Sequence, residues 1–150
     1  MKENNLNFFV DSILNYFKQT TGEEAIVGIP YLKEQEAVVL DFTGIIGISG
    51  KQKGSIYLTA THKMLEVLGS IILADIDYGK EELKDLVGEI ANTIAGNVRD
   101  VYGSSFLISV PAVVVGRPHD IRFPEELPVF VIPVKWREYQ AFLVVCLEDK

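Results

Sequence analysis

Asp85, Glu89 and Asn92 fall within one short stretch, D-L-V-G-E-I-A-N. Residues three and four apart lie one above the other on an α-helix, so these side chains share one face if the stretch is helical. A carboxylate and a carboxamide one turn apart form a compact polar tool. The carboxylate accepts from a cation or from hydrogen-bond donors, while the amide both donates and accepts and can hold a water in a fixed orientation. Such a pair suits hydrolysis by an aligned water. The same spacing also arises on helix faces that are merely solvated, so its meaning depends on the residues around it.

Those residues specify the helix. Leu83, Leu86, Val87, Ile90, Ile94, Val98 and Val101 recur at three-and-four spacing as a stripe to be buried. The helix should begin close to Lys80, with Glu81 and Glu82 well placed in its first turn, and stop at Gly103. The opposite face carries Asp85, Gly88, Glu89, Asn92, Gly96 and Arg99. Each of the two glycines costs a helix interior about 1 kcal/mol relative to alanine, which a face turned only to water has no reason to choose twice. Glycine there either admits another backbone or clears space beside Glu89 and Asn92. Asn92 is also a mediocre helix former where Lys, Glu or Gln would serve solubility better.

The rest of the chain supplies the frame. Leu6, Phe9, Val10, Ile13, Leu14 and Phe17 predict an amphipathic helix over residues 6–20, capped by Gly22. Ala25–Tyr31, Ala37–Ile48 and Ser55–Ala60 read as strands, the last two as a hairpin, with turns at Lys33–Glu36 and Ser49–Gly54. A second helix follows from a Thr61 cap, with Met64, Leu65, Leu68, Ile71 and Ile72 on its apolar side, and ends near Asp75–Gly79. Beyond the long helix, Phe106–Val115, Val129–Val134 and Ala141–Leu147 read as strands, and the prolines and charges of Gly116–Pro128 as a loop.

The two halves resemble each other. YFKQTTGEEAIVGIP runs from helix end to strand end, and VRDVYGSSFLISVP does the same, with Gly22 matching Gly103 and Pro30 matching Pro111 at one constant offset. A hairpin follows each time. The expected fold is a single α+β domain over residues 1–150, a duplicated helix–strand–hairpin unit. Its two copies form one mainly antiparallel six-stranded sheet with the long helices packed on one face. The offset sets Phe8 opposite Glu89 and Asp11 opposite Asn92, so only one copy holds the polar pair.

Composition narrows the partners. A formal net charge of −7, with no Lys/Arg cluster to override it, opposes binding to a nucleic-acid backbone. No apolar run is long enough to span a membrane, and MKENNLNFFVDSILNYF lacks the continuous apolar stretch of a signal peptide; a cytoplasmic location is the default. Cys146, within FLVVCL, reads as a small core residue. His62 and His119 stand far apart with surface or capping roles, and no His/Cys/carboxylate cluster has metal-site spacing. Arg117, His119 and Arg122 make their loop basic, either simply solvated or attractive to an acidic partner. Trp136 and Tyr139 bracket the last hairpin turn and suit ordinary cross-strand packing or an exposed edge that supports a dimer.

Placed early on a long helix of a duplicated α+β chain, D85-L-V-G-E89-I-A-N92 resembles the D/S-x3-E-x2-N signature of the CheC/CheX/FliY family of chemotaxis phosphatases. One complete motif makes the chain most similar to the CheX branch. The resemblance implies hydrolysis of the aspartyl phosphate of a CheY-like response-regulator receiver in two-component signalling. Asn92 would orient the attacking water, and Glu89 would pair with the receiver's lysine. Asp85 would orient neighbours or support docking, and Gly88 and Gly96 would let the partner lie close. The divalent metal, normally Mg2+, belongs to the receiver, so no cofactor of this chain's own is implied. A homodimer through the sheet is implied by the CheX branch. The family's downstream proline stands at a longer spacing than Asn92 to Pro111, which leaves Pro111 a strand-end role. The alternative is a non-catalytic module that docks on a receiver or signalling assembly through the same face.

Overall fold

The structure, a computed structural model, describes residues 3–33, 38–72, 79–117 and 127–148. The chain runs α1 (Glu3–Thr21), β1 (Ile26–Val27), β2 (Tyr31–Leu32), β3 (Phe42–Gly50), β4 (Gly54–Ala60), α2 (His62–Ile72), α3 (Lys80–Tyr102), β5 (Phe106–Ile108), β6 (Ala112–Val115), β7 (Val129–Trp136) and β8 (Tyr139–Leu147). Both long helices stop in the same way. The Gly22 N–H donates to Lys18 O at 2.9 Å and the Gly103 N–H to Arg99 O at 2.8 Å, each glycine holding the positive φ that a side chain resists. At α2 the Thr61 hydroxyl accepts the Met64 N–H at 3.2 Å, the cap its sequence implied.

The sheet is antiparallel, in the order β1-β7-β8-β4-β3-β5, with β2 also on β7 and β6 also on β3. Among the described residues it has eight strands instead of the expected six, because Ala25–Tyr31 and Phe106–Val115 are each broken in two. Pro30 and Pro111 have no N–H to give a ladder. Just before each proline the chain turns outward, leaving Ile29 88% and Val110 86% exposed. The Gly28 and Ser109 N–H groups still donate, to Pro133 O and Gly47 O, each at 2.9 Å. The strand expected from Ala37 begins only at Phe42. Residues 34–37, 73–78 and 118–126 lie outside the described set, and with them most of the Lys33–Glu36 turn, the end of the second helix, His119 and Arg122.

The duplication is visible in the pairing. Ile26 faces Lys135 and Tyr31 faces Val131 in one half; Leu107 faces Ser49 and Ala112 faces Ile45 at the equivalent places in the other. Between them β4 and β8, one from each copy, pair from Gly54↔Leu147 to Ala60↔Ala141. Strand alternation then separates two faces. Ile56, Leu58, Leu143, Val145 and Leu147 join Phe9, Ile13, Phe17, Leu83, Val87, Ile90 and Ile94 in the main core beneath the helices. Tyr57, Val129, Val131, Val144 and Cys146 form a second cluster on the other face. Cys146 is buried there, and burial pushes its thiol above the usual range, as suits a core residue.

Trp136 resolves the two readings of the last hairpin in favour of packing. Its indole is fully buried and stacks on Phe17 at 5.8 Å. Arg137 lies 4.7 Å over the ring and grips Glu23 through two bonds of 2.9 and 2.6 Å. Arg117 is likewise engaged within the chain. Its guanidinium makes two 3.1 Å bonds to Asp41 Oδ1, while Asp41 Oδ2 accepts the His62 N–H at 2.8 Å. That N–H first, and Arg117 with it, hold the Asp41 carboxyl below the usual range.

Candidate functional site

The helix that carries the motif lies unusually close to the sheet, and two glycines permit it. A Cβ on Gly44 of β3 would stand 2.7 Å from Val87 O and 3.2 Å from Ala91 Cβ. A Cβ on Gly88 would stand 3.2 Å from Val113 Cγ2 and 3.5 Å from Pro111 Cβ and Cγ. The first copy has Phe130 where the second has Gly44, and Asn7 where it has Gly88. There the helix stands off, and a cavity of about 1000 Å3 opens between α1 and β1–β2, lined by Leu6, Val10, Leu14, Ile29 and Phe130 among others.

On α3 the buried stripe is the one expected, save that Val101 is exposed near the helix end. Asp85, Glu89 and Asn92 are all exposed, one above the other on the face turned from the sheet. The glycines separate. Gly88 is buried, and what it admits is the side chains of Pro111 and Val113 from its own chain. Gly88 therefore has a packing role within the fold that the helical period could not foretell, since it does not say which edge of the polar face a neighbouring strand covers. Gly96 is half-buried, with nothing within 4 Å of the place of its Cβ. Pro111 keeps its strand-end role between β5 and β6, and also rests against α3 one residue from Glu89.

A residue of α1 joins this face. Tyr16 is half-buried, and its hydroxyl is pushed up to about 12, chiefly by burial, with a hydrogen bond from Thr20 lowering it and the negative charge of Glu89 raising it. The motif contains no sign of Tyr16. Gly44 also escaped notice, although a glycine among the core-facing residues Phe42, Ile46 and Ile48 is the usual mark of a close approach. Among the described residues no group of three or more His, Cys, Asp or Glu side chains could hold a metal ion. No described helix is long and apolar enough to cross a membrane.

The fold and the single polar pair place the chain among the CheC-like proteins. It superposes on a CheC-like superfamily protein from Shewanella sp. PV-4 with a TM-score of 0.87 and 28% identity, over 99% of this chain and 100% of that one. Within that class it belongs to the CheX family: residues 42–135 match the family described as chemotaxis phosphatase CheX. A CheX from Desulfovibrio desulfuricans is 30% identical, with a TM-score of 0.86 over 97% of this chain and 99% of that one. The Borrelia burgdorferi CheX, solved in a complex with CheY, BeF3 and Mg2+, shares the fold at 21% identity and a TM-score of 0.76, over 97% and 98% of the two chains. No curated protein matches the sequence significantly.

Proposed function

We propose that this chain hydrolyses the aspartyl phosphate of a CheY-like receiver domain. The observation that carries the reading is that Glu89 and Asn92 stand exposed together, one turn apart, on a helix seated firmly on the sheet of a chemotaxis phosphatase family member. The Borrelia burgdorferi relative that was solved with CheY supports the choice of partner.

The chemistry asks little of this chain beyond placement. Water attacks phosphorus in line, the bond from phosphorus to the aspartyl oxygen breaks, the carboxylate departs, and inorganic phosphate takes up the water's proton. The Asn92 side-chain oxygen accepts from that water and fixes its line of approach. Glu89 meets the receiver's lysine, Asp85 supports the docking, and the open space at Gly96 lets the two surfaces close. The divalent cation, Mg2+, sits on the receiver, and this chain adds no metal of its own.

Glu89→Gln keeps the shape and removes the charge. Its expected result is a KM for the phosphorylated receiver about tenfold higher with kcat within about twofold, the scale of one charge-assisted hydrogen bond. Phosphate release against receiver concentration reads both, and a fall in kcat at constant KM would remove Glu89 from the docking role. If wild type binds a phosphorylated receiver without hastening its decay, the chain is a binding module using the same face.

Dimerisation through the sheet belongs to the same proposal. The β1–β2 edge offers Ile26 at 68%, Leu32 at 53% and Ile29, more than either, to solvent, and an uncovered apolar edge is a ready surface for a second copy. Sedimentation should give a dimer for wild type and a monomer for Ile29→Asp. A monomeric wild type refutes it.

A further inference from the structure

The duplication points to a second wall of the site that the motif does not contain. In the first copy a cavity of about 570 Å3 is lined by Phe8, Asp11 and Asn15 of α1 and by Asn97 and Val101 of α3. Phe8 and Asp11 hold the places of Glu89 and Asn92. The offset that relates them carries Asn97 back onto Tyr16 and Val101 onto Thr20. The pseudo-twofold therefore sets Tyr16 and Thr20 beside Glu89 and Asn92.

Helix packing agrees. The Ser12 hydroxyl donates to Ile94 O at 2.9 Å, and farther along Phe8 meets Tyr102 edge-on at 5.6 Å. The helices are thus antiparallel, and the next turn of α1, with Tyr16, reaches the turn of α3 that bears Glu89. The tyrosine ring is packed against the core and lies edge-on to Phe17 at 5.5 Å.

Glu89 needs a donor. Its neighbour one turn earlier is Asp85, a like charge, and one turn later is Thr93, whose hydroxyl is spent on Glu89 O at 2.9 Å. Asn92 is reserved for water. Resting on the reading of Glu89 given above, we propose that Tyr16 is a positioning residue: its hydroxyl donates to the Glu89 carboxylate and fixes the rotamer that meets the receiver's lysine.

Tyr16→Phe keeps the ring and removes the donor. With CheY-like receivers from the same genome, phosphorylated by acetyl phosphate, KM should rise about fivefold with kcat within about twofold. In a Glu89→Ala background the same change should move KM less than about twofold, since the coupled partner is gone. An equal effect in both backgrounds, or none in wild type, overturns the proposal. A second measurement needs no receiver, so it stands apart from the phosphatase reading. In free protein labelled with 13C-tyrosine, the Tyr16 hydroxyl should titrate at lower pH in Glu89→Ala than in wild type. An unchanged titration overturns the contact even if the phosphatase activity is found.

Discussion

Asn92→Ala is expected to lower the acceleration of receiver dephosphorylation by about a hundredfold or more, the scale on which lost alignment of a reacting group is felt. Binding of the receiver should stay within about threefold, since Asn92 acts on the attacking water while Glu89 and Asp85 keep the docking contacts. The reason the loss would be chemical lies in the helix. Asn92 is exposed in mid-helix, and alanine is the better helix former by about 0.7 kcal/mol, so the variant should melt no lower than wild type. Single-turnover phosphate release at saturating receiver separates the chemical step from docking. An acceleration that survives Asn92→Ala removes the aligned-water mechanism.

Gly44→Val should destabilise the protein by about 3 kcal/mol, the upper part of the range for overpacked cores. A branched side chain there runs into the backbone of α3 at Val87, and backbone has no rotamer with which to give way. The melting temperature should fall by about 6–12 °C for a chain of this size. What survives folded should hydrolyse poorly, because the lifted turn is the one that leads into Gly88 and Glu89. Gly96→Ala is the informative contrast. Its Cβ meets nothing, so the free protein gains up to about 1 kcal/mol, while a receiver lying close at that point binds less well. Thermal melts with receiver titrations decide both, and a Gly44→Val protein that melts like wild type would show that α3 is not held as described.

Much of this arrangement was legible because single signals agreed. The apolar stripes of α1 and α3 and the glycines after them gave α3 and the end of α1 almost to the residue, since burial and capping demanded the same boundaries, whereas α1 begins at Glu3, three residues before its expected start. The repeated Gly and Pro spacing exposed the duplication. The two broken strands were less legible: their Val and Ile content argued for continuous ladders, and only the prolines argued against. The site divides in the same manner. Asp85, Glu89 and Asn92 share a face by local geometry alone, whereas the burial of Gly88 depends on Pro111, Gly44 matters through Val87, and Tyr16 comes within the influence of Glu89 through a helix crossing. These are tertiary facts with no local period to announce them.

The pairing of the strands bears on how the chain comes into being. Neither copy completes its own half of the sheet: β1 and β2 lie on β7, β5 and β6 lie on β3, and β4 lies on β8. While the chain emerges from the ribosome, the β3–β4 hairpin must wait with both edges unpaired, one until β5 and β6 arrive and the other until β8, the last of the described strands. Such long-range closure slows folding, and open edges in the interval invite pairing with other chains. The same interlock that gives the finished molecule its symmetry therefore makes its birth concerted, and the Glu89–Asn92 face is set in place only when the second copy has docked upon the first.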